Sequence, residues 1–91
     1  MELRWTEEAA NDFERITEYL FEHAPGRPAD LVREVYDAPE ALLMFPHRGR
    51  HGKKAGTREL VLSTLPYLVV YKITGDVLHI VRILHGAQRW P

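Results

Sequence analysis

In the first half of the chain, apolar residues recur every three or four positions. Five of them form a first stripe: Ala9, Phe13, Ile16, Leu20 and Phe21. This spacing predicts one apolar face of an amphipathic α-helix. Thr6 precedes the stripe and is expected to cap the helix, and Glu7 and Glu8 follow it, where the positive end of the helix dipole favours acidic residues.

A break rich in Pro and Gly and then a second apolar stripe follow. Residues 24–28 contain two prolines and a glycine, and these residues are expected to end the first helix. The second stripe consists of Leu31, Val32, Val35, Leu42 and Phe45. The two stripes together predict a helical hairpin. Pro39 lies inside the second helix and is expected to remove a backbone hydrogen bond and kink the helix.

Beyond residue 56 the period of the apolar pattern changes to two. β-Branched and aromatic residues dominate three segments: Thr57 to Ser63, Tyr67 to Ile73 and Val77 to Leu84. The connections between them are too short for a parallel crossover, so the three strands are predicted to be antiparallel neighbours. Gly75 is expected to supply the positive φ of the second turn. Residues 2–5 predict one more short strand.

These elements predict a single α+β domain over residues 1–91 in the order β-α-α-β-β-β. The helical hairpin is expected to pack on one face of a small antiparallel sheet of four strands, because its apolar stripes have no other apolar surface to cover. Five residues are predicted to lie in the core: Phe13, Ile16, Leu20, Val35 and Leu42.

Composition narrows the class of protein. A chain of 91 residues supports one core without help from disulfides or metals. The absence of Cys excludes a disulfide scaffold, thiol catalysis and Cys-based zinc sites. The longest apolar run, Leu65 to Tyr71, is too short to span a bilayer, and the acidic amino terminus is not typical of a signal peptide. A cytoplasmic location is therefore expected.

The formal net charge of −1 conceals a division between the two halves of the chain. Residues 1–46 carry 11 acidic and 4 basic residues, whereas residues 47–91 carry 2 acidic and 8 basic ones. Four of the five His residues also lie in the basic half. An acidic partner or a polyanion is therefore expected to bind the second half and to be repelled by the first.

The second half of the chain also contains segments that resemble a known family. They are Gly56 to Val61, Pro66 to Tyr71, Gly75-Asp76, Ile80 to Gly86 and Arg89 to Pro91. Together with the chain length, the element order and the Phe45-Pro46 exit from the second helix, they resemble the toxin subunits of bacterial RelE/ParE toxin–antitoxin modules. The residues around Arg58 and after His85 are more similar to the ParE, or plasmid-stabilisation, branch.

The resemblance implies a growth-inhibiting toxin that is held inactive by a cognate antitoxin, whose extended or helical tail wraps it. Two targets are open, because RelE-type members cleave messenger RNA in the ribosome whereas several ParE-type members poison DNA gyrase. The residues expected to bind the antitoxin or the target are Arg48, Arg50, Lys53, Lys54, Arg58, Arg82 and Trp90. The antitoxin segment is expected to be acidic and amphipathic.

If the protein is a nuclease, the residues suggest how it acts. Cleavage of RNA through its own 2′-hydroxyl needs a proton acceptor, a proton donor and fixed positive charge, and requires neither metal nor cofactor. Arg58 and Arg82 match two arginines that contact the scissile phosphate in RelE-type toxins, and His85 lies near the position of a catalytic His in some relatives. However, no Tyr follows His85 of the kind that ends several of these nucleases, only Trp90.

The same residues also have structural interpretations. Arg58, followed directly by Glu59, is typical of a surface ion pair between neighbouring strands. Arg82 shares strand parity with Ile80 and Leu84 and is expected to have a partner or a purpose among apolar neighbours. His85 at a strand end is typical of a hydrogen-bonded structural residue.

The overall charge favours one target. Dedicated nucleic-acid binders tend to have a pI above about 9, whereas the pI of this chain is about 6.5. We therefore expect ParE-like action on DNA gyrase. The alternatives are a RelE-like, ribosome-dependent mRNA endonuclease and a degenerate, non-toxic binding module.

Overall fold

The computed structural model describes residues 1–86 and 88–91. Its elements, in chain order, are β1 (Glu2–Trp5), α1 (Glu7–His23), α2 (Pro28–Ala41), β2 (Arg50–His51), β3 (Thr57–Val61), β4 (Tyr67–Thr74) and β5 (Val77–His85). In this part of the chain, neither helix has the length and apolar character needed to cross a membrane.

The start of α1 confirms the predicted cap. Oγ1 of Thr6 accepts a hydrogen bond from the backbone N–H of Ala9 at 3.1 Å, which satisfies one of the free donors of the first turn. The same hydroxyl donates to the carbonyl of Val81 at 2.9 Å. The capping residue therefore also ties the beginning of α1 to β5.

The second helix begins at Pro28, in the first turn, where the missing N–H of proline costs no intrahelical hydrogen bond. It continues through Pro39 but ends at Ala41, two residues later. The chain then tightens, with the N–H of Leu42 donating to the carbonyl of Pro39 at 3.1 Å. The expectation that the helical stripe extends to Phe45 is therefore wrong.

The strands form one sheet in the order β1-β5-β4-β3-β2. As predicted, β3, β4 and β5 are antiparallel neighbours, and Gly75 has a positive φ in the turn between the last two. The sheet is mixed rather than wholly antiparallel, because β1 pairs in parallel with β5. It also has a fifth strand, since the two-residue β2 pairs with β3.

The helical hairpin covers one face of this sheet, as predicted. The buried core combines residues of both helices with residues of β3, β4 and β5. Four of the five predicted core residues are buried: Ile16, Leu20, Val35 and Leu42. The fifth, Phe13, is half-buried and packs with its ring centroid 5.7 Å from that of Trp5 and 5.6 Å from that of Tyr36.

Two residues of the predicted stripes lie in solvent. Phe21 is 57% exposed and Phe45 is 66% exposed. Phe21 follows Leu20 directly in α1, and the rotation of about 100° per residue turns it out of the core. Phe45 lies beyond the end of α2, so helical spacing no longer places it over the sheet.

Candidate functional site

The loop that follows α2 is held against the sheet by Tyr71 of β4, which is fully buried. Its hydroxyl accepts a hydrogen bond from the backbone N–H of Gly49 at 2.9 Å and donates one to the carbonyl of Pro46 at 2.7 Å. A Cβ atom at Gly49 would lie 2.7 Å from the Cε1 and Oη atoms of Tyr71. The close approach of loop and ring therefore requires glycine at this position.

Arg58 of β3 holds the same loop from the neighbouring strand. Its Nη1 atom donates to the carbonyl of Gly49 at 2.8 Å and to the carbonyl of His47 at 3.1 Å. Arg58 lies directly opposite Tyr71 in the sheet, so adjacent side chains of two strands fix one short stretch of backbone. The guanidinium group of Arg58 is thus already engaged within the chain.

Of the other charged side chains in residues 47–59, Arg50 pairs with Glu59, whereas the two lysines are exposed. Nε of Arg50 lies 3.0 Å from Oε1 of Glu59, whose side chain is only 7% exposed. The interpretation of Arg58 as part of a surface ion pair between neighbouring strands is therefore wrong, because Arg50 binds the carboxylate of Glu59. Lys53 and Lys54 are exposed.

Arg48 is likewise exposed in the loop. Within residues 1–86 and 88–91, neither it nor the two lysines forms a salt bridge. Arg48 in the loop after α2, and Lys53 and Lys54 in the connection between β2 and β3, therefore remain available to a partner.

Arg82 of β5 has a partner that the sequence analysis did not identify. Its Nε and Nη2 atoms donate to the two carboxylate oxygens of Asp12 at 2.6 and 3.0 Å. Asp12 also accepts hydrogen bonds from Nη2 of Arg15 at 2.6 Å and from the backbone N–H of Ile83 at 3.0 Å. The hydrogen bond to Asp12 is the main cause of the raised pKa of Arg82.

Asp12 is 3% exposed, and this carboxylate joins α1 to the edge of β5. One signal for it was available in the sequence. Asp12 lies three residues after Ala9 and four before Ile16, and thus on the apolar face of the predicted helix. An acidic residue on that face needs a buried partner, and Arg82 is the cation that supplies one.

The two arginines of the nuclease hypothesis occupy different positions in the sheet, and the guanidinium of Arg82 turns to α1, where it binds Asp12. Arg58 lies opposite Tyr71, and Arg82 lies opposite Val70. Directly opposed residues share a face, whereas neighbours along a strand alternate. The expectation that Arg82 shares strand parity with Ile80 and Leu84 is wrong for Ile80, because a bulge at Val81 shifts the register between them. It holds for Leu84, which lies opposite Leu68 as Arg82 lies opposite Val70.

His85 lies at the far end of the sheet. It pairs with Tyr67, and the two rings are nearly perpendicular with centroids 6.0 Å apart. Tyr67 is buried, and this burial is the main cause of the raised pKa of its phenol. The proximity of Tyr19 raises this pKa further. These rings line a cleft of about 250 Å³. Tyr67 and Tyr71 are four residues apart, or about 13 Å along β4, so His85 is remote from Arg58.

Trp90 is half-buried in the carboxyl-terminal segment, beyond β5. Across residues 1–86 and 88–91, no group of three His, Asp or Glu side chains is arranged to hold a metal ion. The structure thus brings Arg48, Arg50 and Arg58 together around one loop and leaves Arg82 and His85 elsewhere on β5.

Comparison with known proteins shows to which class of protein this chain is similar. A family model described as the ParE toxin of type II toxin–antitoxin systems, parDE, matches residues 3–90. The Y4kP protein of Sinorhizobium fredii is 37% identical over 89 residues, which are 98% of this chain and 92% of that protein. Toxin RelE2 of Caulobacter vibrioides is 33% identical over 84 residues, or 92% of this chain and 93% of that toxin.

A solved structure agrees with these sequences. A chain of the chromosomal ParDE toxin–antitoxin system from P. aeruginosa superposes with a TM-score of 0.82 at 26% identity, over 93% of this chain and 95% of that one. The similarities define the class as the toxin subunits of type II toxin–antitoxin systems, with the RelE/ParE fold. Within this class, the chain belongs to the ParE toxin family.

Proposed function

We propose that this toxin inhibits growth by acting on DNA gyrase and that a cognate antitoxin neutralises it. The supporting observation is that both arginines a nuclease would need are engaged by other groups of the chain. Arg58 binds loop carbonyls, and Arg82 binds Asp12. A phosphate at either guanidinium would compete with hydrogen bonds that hold the fold.

The positions of these groups also disfavour a nuclease. Catalysis of phosphodiester cleavage requires the acid, the base and the positive charge to converge on one phosphate. Arg58 binds carbonyls of the loop after α2, Arg82 binds Asp12 of α1, and His85 lies at the end of β5. The pI of about 6.5 also disfavours a surface adapted to ribosomal RNA. A protein target fits these features better than a nucleic acid does.

Paired assays distinguish the candidate functions. The purified toxin is expected to inhibit supercoiling by purified DNA gyrase and to leave transcripts intact in a translation extract. In cells, expression without antitoxin should cause DNA damage signalling and filamentation while bulk messenger RNA persists. Codon-linked cleavage that disappears in Arg58→Ala and Arg82→Ala would instead establish the mRNA endonuclease. Inactivity in both assays and in cells would indicate the non-toxic binding module.

The antitoxin is proposed to bind the basic half of the chain through an acidic, amphipathic segment. The solved relative from P. aeruginosa is a ParDE toxin–antitoxin system, which supports a protein partner of this kind. Arg48, before β2, and Lys53 and Lys54, after it, are exposed and form no salt bridge with the described residues. The acidic side chains of α1, in contrast, would repel carboxylates.

Charge reversal should therefore affect antitoxin binding on one side of the molecule only. The double substitution of Lys53→Glu and Lys54→Glu is expected to slow association about tenfold at low salt, because electrostatic attraction acts mainly on the on-rate. The matched pair Glu14→Lys and Glu18→Lys should not slow it. Stopped-flow association at two salt concentrations measures both. Greater sensitivity of the α1 pair, or an on-rate independent of salt, would show that the basic half is not the neutralised surface.

A further inference from the structure

The backbone on both sides of Arg48 is fixed by hydrogen bonds from the sheet. The hydroxyl of Tyr71 accepts a hydrogen bond from the N–H of Gly49. Arg58 donates to the carbonyls of His47 and Gly49. These two residues directly precede and follow Arg48 in the chain. The Arg48 side chain itself is exposed and forms no salt bridge with the described residues.

Tyr71 connects this loop to the core. Its side chain is fully buried, and its hydroxyl also donates to the carbonyl of Pro46 at 2.7 Å. The phenol therefore acts on the loop both as a donor and as an acceptor. Phenylalanine at this position would fill the same space in the core and lose only these two hydrogen bonds. A buried residue of β4 thus fixes the conformation of an exposed loop.

The chemistry of Arg48 explains why its backbone position matters for binding. A guanidinium binds a carboxylate best through two parallel hydrogen bonds, and these require a defined orientation of the two groups. A loop that becomes ordered only on binding lowers the affinity, whereas a loop that is already fixed avoids this loss. The fixed backbone limits the motion of Arg48 to its own side-chain torsions.

We propose that Tyr71 is a positioning residue for antitoxin binding, because it holds the backbone from which Arg48 reaches a carboxylate of the antitoxin. This inference rests on the proposed neutralisation of the basic half by an acidic antitoxin segment. Since Tyr71 is fully buried, it acts through the loop and not by contact with the partner. It also carries no charge, which separates its role from that of the cations.

The test is a double-mutant cycle that combines Tyr71→Phe with Arg48→Ala. The dissociation constant of each variant is measured with the purified, full-length cognate antitoxin. Arg48→Ala alone is expected to weaken binding about tenfold, the loss typical of a hydrogen bond to a charged group. Tyr71→Phe alone should weaken binding about fivefold, because the loop must then be ordered on binding. In the Arg48→Ala background, Tyr71→Phe should weaken binding less than about twofold, because the side chain that it positions is absent.

Kinetics and two control variants separate positioning from a change of charge and from a general loss of structure. Tyr71→Phe removes no charge, so association should keep its rate and salt dependence, and the loss should appear as faster dissociation. In a Lys53→Ala background, where the missing cation lies beyond β2, Tyr71→Phe should keep its full effect. Tyr67→Phe, which removes the hydroxyl of a buried tyrosine at the other end of β4, should leave antitoxin binding unchanged.

Melting temperatures show whether Tyr71→Phe is folded. If it is not, Gly49→Ala releases the same loop, because its Cβ atom would lie 2.7 Å from the Cε1 and Oη atoms of Tyr71, and it should give the same cycle with Arg48→Ala. Equal losses in both backgrounds, or no loss in either, would overturn the positioning role alone. Antitoxin binding that is unaffected by Arg48→Ala would contradict the proposed antitoxin surface at this residue, and the positioning role with it.

Discussion

Replacement of Asp12 by Ala should lower the free energy of unfolding by about 3 kcal/mol, because it leaves Arg82 without its carboxylate partner. This is the lower end of the range for breaking a buried ion pair, since the Arg82 side chain is 23% exposed. The same substitution removes the acceptor for the backbone N–H of Ile83. Urea denaturation followed by circular dichroism measures the loss.

A nearby acidic residue provides the control. Oε2 of Glu8 lies 4.0 Å from Arg82, but its side chain is 77% exposed, so Glu8→Ala should cost less than about 0.5 kcal/mol. Arg15→Ala is expected to give a similarly small loss, because the Arg15 side chain is 66% exposed and Asp12 keeps its other donors. If Asp12→Ala were as mild as these two variants, the carboxylate would not be a structural link between helix and sheet.

Leu20→Ala is expected to destabilise the domain by about 2 to 5 kcal/mol, the range measured when a buried leucine is truncated and a cavity remains. Leu20 is 5% exposed and belongs to the core between the hairpin and the sheet. Its neighbour Phe21 is 57% exposed, so Phe21→Ala, although it removes a larger side chain, should cost less than about 0.5 kcal/mol. The two unfolding curves, measured in the same denaturant, give the comparison directly. A larger loss for Phe21→Ala would mean that the face of α1 has been assigned incorrectly.

The elements that the sequence predicted are those with a strong local signal. The cap at Thr6, the helical stripe of α1 and the alternation in β4 and β5 each depend on residues close together in the chain. The short turn at Gly75 then left antiparallel pairing as the only arrangement of β4 and β5. The position of the hairpin on the sheet followed from the need to cover its apolar stripe.

The features that were missed depend on contacts distant in sequence. The two residues of β2 are too few to show a period of two, so only their pairing with β3 reveals a strand. The parallel pairing of β1 with β5 joins residues more than seventy positions apart. The bulge at Val81 then broke the parity expected between Ile80 and Arg82, because parity along a strand assumes an uninterrupted ladder.

The residues of the candidate site also divide into those with a signal in the sequence and those that depend on distant contacts. Charge and resemblance identified Arg48 and Arg58, and the structure shows that Arg58 binds the carbonyls on either side of Arg48. The roles of Tyr71 and Asp12 were not apparent, because each acts on a backbone or side-chain group far away in the sequence: Tyr71 on Gly49, and Asp12 on Arg82. Such partners cannot be deduced from composition or spacing alone.

The pairing of β1 with β5 also determines when the sheet can form during synthesis of the chain. β1 has its partner in β5, which follows it by more than seventy residues, with Glu2 beside Val77 and Trp5 beside Ile80. Non-local pairing of this kind can form only after the intervening chain has been made. A product that stops before residue 77 therefore lacks β5, and its β1 has no strand to pair with. Synthesis of β5 thus precedes formation of the complete sheet, and a product that lacks β5 is an incomplete sheet rather than a smaller toxin.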